Sequence, residues 1–250
     1  MFEKIKEITN KKIFHLIMLI IIITIILFLA GVIILKYNVE GETNMPFKIN
    51  KISIISSSEG IDKEATDTRW AFDLYQSNDV YVYIDKNKNY SKSELIKSIN
   101  IENINIDANN KENIKIYKPS SQAENLIFKN LDENIVENIE YVGDVETNLT
   151  NLKISNQGGI IAFRCSNNNL AEYKSDDEII NHQELLKKCG IINDDLKFKI
   201  YFDLIINLES EKEYKTTINL DLPVDNVVES GTTSIEITNL NEFIFKRINN

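Results

Sequence analysis

Histidine and cysteine each occur only twice in these 250 residues. The sole histidine beyond the N-terminal region is His182, and zinc or acid–base chemistry needs a partner at a fixed spacing that the neighbouring sequence lacks. Asp176, Asp177, Glu178 and Glu184 lie near His182, and they read as the solvated approach to a helix. Two cysteines cannot make a disulfide framework; Cys165 and Cys189 are either one bridge or two separate thiols. Positive charge is also short. Beyond the first fifteen residues, 24 Lys and Arg face 36 Asp and Glu, a net charge near −12 that nucleic acid and anionic headgroups would repel. Glycine, alanine and proline are scarce, while isoleucine is roughly one residue in six and asparagine one in eight. That bias resembles the codon usage of a low-GC bacterium, and it weakens propensity arguments because isoleucine stands in for any aliphatic.

Charge is missing altogether from Leu16 to Leu35, LIMLIIIITIILFLAGVIIL. A helix of that length rises about 30 Å, the thickness of a bilayer's hydrocarbon core. The preceding flank holds Lys4, Lys6, Lys11 and Lys12 against Glu3 and Glu7, and the following flank holds one lysine and two glutamates. Positive charge stays on the cytoplasmic side, which predicts a cytoplasmic tail over 1–12, a transmembrane helix over 13–35 and an extracytoplasmic remainder. Tyr37 suits an interfacial aromatic. A cleaved signal peptide is the main rival, but its apolar core is shorter and ends at a small-x-small site, whereas Ala30 and Gly31 are adjacent. No cysteine stands near the run for a lipid anchor, and the prepilin pattern is absent.

After a polar stem over 36–46, period-2 runs dominate. FKINKISII (47–55), WAFDLY (70–75), DVYVYI (79–84), NIKIYK (113–118) and ENLIFK (124–129) read as half-buried strands. In DVYVYI, Tyr81 and Tyr83 share one face, and Val80, Val82 and Ile84 the other. The stretch 132–145 fits a helix through Ile135 and Ile139, or a strand through IEYVGDV. TNLKIS (150–155) and IIAFRC (160–165) flank Asn156-Gln157-Gly158-Gly159, which predicts a hairpin. KFKIYFDLIINLE (197–209) and YKTTINLDLPV (214–224) form an antiparallel pair, and TSIEITN (233–239) and EFIFKRI (242–248) follow. Two short helices are predicted. One is SKSELIKSI (91–99), with Ser91 and Glu94 as a capping box; the other is HQELLKKC (182–189), with Asn181 as N-cap and Gly190 as stop. Crossover helices are missing, which excludes a βαβ fold. The fold expected is mainly β: an N-terminal transmembrane helix, then an antiparallel β-sandwich over 47–250, as one domain or as two modules, 47–145 and 146–250.

The segment 85–96 imitates a calcium loop through Asp85, Asn87 and Asn89. Its sixth position is Tyr90 rather than glycine, and its twelfth is Ile96 rather than glutamate. It reads as a turn, and no metal or cofactor is expected. Cys165, His182 and Arg164 invite comparison with sortases, but their order and local motif are wrong. Asp73, Asp85, Asp203 and Asp221 have no spacing that marks a glycosidase pair. Trp70, Tyr81 and Tyr83 are the candidate binding residues, as a protein-facing or glycan-stacking surface; the competing reading is ordinary packing. WAFDLYQSNDVYVYI, NLKISNQGGIIAFR and LESEKEYKTTINLDLP resemble the single-pass membrane proteins of low-GC Firmicutes. The resemblance implies no activity and names no catalytic residue. The function expected is a membrane-tethered β module with a protein-binding or envelope-structural role. Its partners would be the bilayer, through Leu16–Leu35, and a protein of the envelope. A cell-wall glycan binder and an envelope hydrolase using His182 or Cys165 are the alternatives.

Overall fold

The structure, a computed structural model, describes residues 2–41, 44–63, 67–120, 128, 135–143 and 152–249. The chain forms two compact units, Met1–Thr43 and Asn44–Asn250.

The first unit is one helix, α1 (Phe2–Glu40), longer than the apolar run at both ends. Its segment Ile13–Tyr37 has a mean hydropathy of 3.4 and is long and apolar enough to cross a membrane. Apolar side chains cover every face of it, as a lipid-facing helix requires. Thr24 donates its hydroxyl to the Ile20 carbonyl at 2.9 Å, so its one polar group is satisfied within the helix. Gly41, at φ 71°, ends the helix with its N–H on the Tyr37 carbonyl.

The second unit is mostly β. Its strands are β1 (Phe47–Asp62), β2 (Trp70–Lys86), β3 (Ile96–Asp107), β4 (Ile114–Tyr117), β5 (Ile139–Gly143) and β6 (Leu152–Ile154). Then come β7 (Gly158–Ser175), β8 (Phe198–Leu208), β9 (Glu213–Leu222), β10 (Thr232–Ile237) and β11 (Lys246–Asn249). Three one-turn helices, α2 (Leu185–Lys188), α3 (Asn193–Leu196) and α4 (Val227–Ser230), lie between the later strands. One sheet has the order β10-β1-β2-β7-β4 and the other β11-β9-β8-β3-β5-β6. Among the described residues every strand pairing is antiparallel except β5 with β6. Both sheets draw strands from either side of residue 145, so the chain does not divide into modules there.

Strict alternation built β8 and β9 as read. Phe198, Ile200, Phe202, Leu204, Ile206 and Leu208 are buried, opposite Tyr214, Ile218, Leu220 and Leu222. Elsewhere the structure corrects the sequence. The helix predicted over 91–99 is absent: residues 91–95 are a loop and Ile96 begins β3, held between β8 and β5. Register shifts at Ile96/Ser98 and Glu102/Asn105, with Asn103 at φ 53°, break the alternation. Ile96 and Ile99 therefore lie three apart, like neighbours on a helix. Glu94 caps nothing; it is buried against Lys212 at 2.6 Å. The Asn-Gln-Gly-Gly segment is a turn but not a hairpin, because β6 belongs to the second sheet and β7 to the first. Gly158 makes that corner at φ 115°, where a Cβ would lie 2.4 Å from the Ile84 carbonyl oxygen. WAFDLY and DVYVYI are two ends of one strand, β2, with a register shift between Leu74 and Gln76. HQELLKKC is a 3-10 turn, His182–Glu184, running into α2, and Asn181 accepts the Gln183 N–H as expected of a cap. ENLIFK lies outside the described residues except for Phe128, and of 132–145 the strand reading holds over Ile139–Gly143.

The main core takes side chains from both sheets. Phe163 meets Phe202 edge to face at 5.1 Å. Tyr141 of β5 donates to the Ala162 carbonyl (2.7 Å) and accepts from the Ala162 N–H (2.9 Å), bonding to β7 where β4 does not pair with it. A second, smaller core lies at the other end of β2 and β7. There Phe72, Leu74 and Tyr173 pack on Leu185, Leu186, Leu196, Val227 and Val228. Ser56, Gln76, Asn78 and Asn167 form a buried polar band between the two cores.

Candidate functional site

Because Val80, Val82 and Ile84 face the main core, Ser77, Asp79, Tyr81 and Tyr83 emerge on the outer face of the first sheet. The register brings Arg164 opposite Asp79, Ile160 opposite Tyr83, and Lys51 beside Tyr83 on the other side. Arg164 grips Asp79 with two bonds, Nε to Oδ1 at 2.5 Å and Nη2 to Oδ2 at 2.9 Å. Their side chains are only 11% and 15% exposed, so this is a largely desolvated ion pair on the outside of a sheet. Glu59 lies 3.5 Å from the same guanidinium and accepts bonds from the Tyr75 hydroxyl (2.5 Å) and from Ser77. The Phe128 ring covers Arg164 at 5.3 Å and meets Tyr81 edge-on at 6.4 Å. Burial pushes the Tyr75 and Tyr81 hydroxyls above their ordinary pKa, helped by Glu59 and Asp79 respectively, and Tyr75 keeps its proton for the bond to Glu59. The Lys51 ammonium sits 4.5 Å from the Tyr83 ring centre and bonds Glu236 of β10.

Trp70 is elsewhere. It stacks on Phe72 at 6.1 Å and donates its indole N–H to the Asp177 carbonyl at 2.9 Å, closing the small core. Tyr81 lies eleven positions further along the same strand, about 35 Å at strand rise. The three candidate aromatics therefore do not share one surface. Cys165 and Cys189 are free thiols in different cores, Cys165 fully buried in the main one and Cys189 beside the small one. Burial raises the pKa of both. His182 is exposed, its ring edge-on to Phe72 at 5.8 Å. It is not brought to Cys165, so the pair a hydrolase would need is not formed.

The four strand aspartates are also scattered. Asp73 pairs with Lys63 (2.9 Å) and Asp221 with Lys199 (3.2 Å), while Asp85 sits by the turn over 87–90. Asp203 accepts from Thr217 (2.6 Å), Asn103 (2.8 Å) and Lys215 (3.2 Å) on the outer face of the second sheet. Burial pushes its pKa up, but these bonds outweigh that and hold it below the ordinary value. By register, Asp203 and Asp221 lie four ladder positions apart, about 13 Å, too far for a glycosidase pair. In the would-be calcium loop, Asn87 spends its side chain on the Met45 carbonyl and the Asn89 N–H.

The alternation of Tyr81 and Tyr83 was legible in the sequence. Nothing in the sequence marks Arg164, Asp79 and Glu59 as a cluster, because 85 residues separate Arg164 from Asp79 and the strand register is what joins them. Comparison of the chain with protein-family models, curated proteins and solved structures finds no match.

Proposed function

We propose that this chain is a single-pass, signal-anchored bacterial protein. In this reading the two sheets close as a β-sandwich on the extracytoplasmic side, and the sandwich binds a protein partner through the outer face of the first sheet. The observation that carries the binding role is the desolvated Arg164–Asp79 pair beside Tyr81, Tyr83 and Phe128. Tyrosine and arginine held in fixed, partly dehydrated positions are what protein interfaces use as anchors. Ile160, an exposed aliphatic across the ladder from Tyr83, extends the face with apolar area. The shared core and the Tyr141 bonds support the sandwich. Orientation rests on the four lysines before the apolar run, each worth about 1 kcal/mol toward an anionic inner leaflet. The acidic balance of the domain argues against nucleic acid as the partner.

A photo-crosslinking residue placed at Tyr83 in intact cells tests this against the same residue at Tyr201, on the outer face of the second sheet. A partner captured from Tyr83 and not from Tyr201 is the expected result. Equal capture from both, or none from either, would sink the reading. Protease added to sealed protoplasts checks orientation: the β domain should be digested and a fragment containing the 39 residues of α1 should survive.

A further inference from the structure

At the Phe198 end of the second sheet, against the middle of β7, a hollow of about 440 Å³ opens between β4 and β7 of the first sheet and the start of β8 in the second. That volume is in the range of small-molecule sites. Five of the thirteen residues lining it are asparagine: Asn109, Asn110, Asn113, Asn167 and Asn169. This is far above the one-in-eight frequency of the chain, so composition alone does not account for it. Asn167 is the telling member. It is 5% exposed, lies at the end of the core-facing row of β7, and its Oδ1 has no hydrogen-bond partner among the described residues. Gln76, directly across the ladder, has an unpartnered Oε1 as well. A buried carbonyl left without a donor is costly, and turning the covered Asn167 carboxamide toward the hollow would let a ligand hydroxyl satisfy it.

The geometry points to a binding site for a neutral saccharide. Each carboxamide offers one acceptor and two donors, which matches hydroxyls that both donate and accept. Ile114, Leu170 and Phe198 supply an apolar wall for the C–H face of a sugar ring. Charged ligands fit less well. Asp194 is neutralised by Lys197 at 2.6 Å, and Asp195 already accepts the Ile192 N–H. With Lys197 spent on Asp194, the lining keeps one carboxylate in excess, which disfavours an anion, and the bond from the Ile192 N–H already occupies that carboxylate. Asn168 donates to the Asn113 carbonyl at 3.3 Å, tying the 3-10 turn Lys111–Asn113 to β7 and holding the wall of the hollow in place. This site is separate from the tyrosine face and does not depend on it.

Saturation-transfer NMR on the full chain, in a detergent without a sugar headgroup, tests the site. The probes are N,N′-diacetylchitobiose, cellobiose, glucuronic acid and putrescine. At least one neutral disaccharide should receive saturation, and its affinity should fall about tenfold in Asn167→Leu, the loss of one well-placed hydrogen bond. Asn110→Ala, at an exposed position on the rim, gives a variant whose folding is not in question and should also weaken binding. Co-sedimentation with purified cell-wall glycan, lost in both variants, would assign the sugar to the wall polymer; disaccharide binding without it would assign a free saccharide. Saturation of neither disaccharide, of glucuronic acid or putrescine alone, or equal affinity in both variants would overturn the proposal.

Discussion

The two apolar cores of the β domain are made of similar side chains but held by different means. In the main core, two sheets supply interlocking rows, and Phe163 of one meets Phe202 of the other. In the small core, among the described residues, only the first sheet supplies strands. The far side is closed by α2, α3 and α4, none longer than four residues. Helices of one turn have no stability of their own and exist because their leucines and valines are buried. The difference follows from strand length. β1, β2 and β7 run 16 to 18 residues, while β8, the longest strand of the second sheet after β3, has 11. The overhang of the first sheet needs a cover, and the segments 182–196 and 227–230 provide it. Local opening should therefore start at the small core and leave the main one intact.

The largest test is Phe163→Ala or Phe202→Ala, each expected to cost about 3–5 kcal/mol in urea unfolding, because a rigid intersheet core cannot collapse onto the cavity. Leu186→Ala should cost about 2–3 kcal/mol, with the one-turn helices settling partway into the space. An equal loss at both places would erase the distinction between the cores. Gly231→Ala probes how the cover is seated. Gly231 has φ 72°, and a Cβ there would lie 2.6 Å from Gln183 Cα, so α4 could no longer pack on the 182–184 turn. About 1–2 kcal/mol should be lost. No change in the melting midpoint would show that this contact does not hold the cover.

Acid should act on the second sheet. Burial raises the Glu94 pKa, but the bonds from Lys212 and Ser210 outweigh it, and the net shift is downward, as at Asp203. A lowered carboxyl pKa contributes stability that is whole above the ordinary value and is lost as pH falls through the lowered one. Unfolding midpoints should thus decline below about pH 4.5, the ordinary Glu value. Glu94→Gln should flatten that decline while costing about 1 kcal/mol at neutral pH. A decline as steep as that of the parent would remove Glu94 from the account. The smallest effect is a rate. Cys189 should react with a thiol reagent through local opening, and Cys165 only on global unfolding, both slowly because burial raises their pKa. Leu186→Ala should speed Cys189 and leave Cys165 unchanged; equal acceleration would mean that the two cores open together.

How much of this was legible depended on whether alternation survived along each strand. β8 and β9 alternate without interruption and could be read with their buried faces. β3 alternates in fragments, and its register shifts made Ile96 and Ile99 look helical. The second half of β7, SNNNLAEYKS, carries no period, since it passes from the main core through the polar band into the small one. Tyr81 and Tyr83 were visible as one face of a strand, but the Arg164–Asp79 pair and the asparagine hollow were not, because their members come from distant segments.

Local order in the chain was enough to settle the apolar helix, the β character of the rest, and which face of a regular strand turns inward. Those are properties of spacing: twenty uncharged residues span about 30 Å, and a period of two sends alternate side chains to opposite sides. Which strand lies beside which was decided only by tertiary structure. Pairing β7 with β2 and β6 with β5 sent the Asn-Gln-Gly-Gly turn across the sheets, joined Arg164 to Asp79, and left five asparagines around one hollow. Such pairings are won by burial summed over many contacts far apart in sequence, and no short stretch of residues carries that sum.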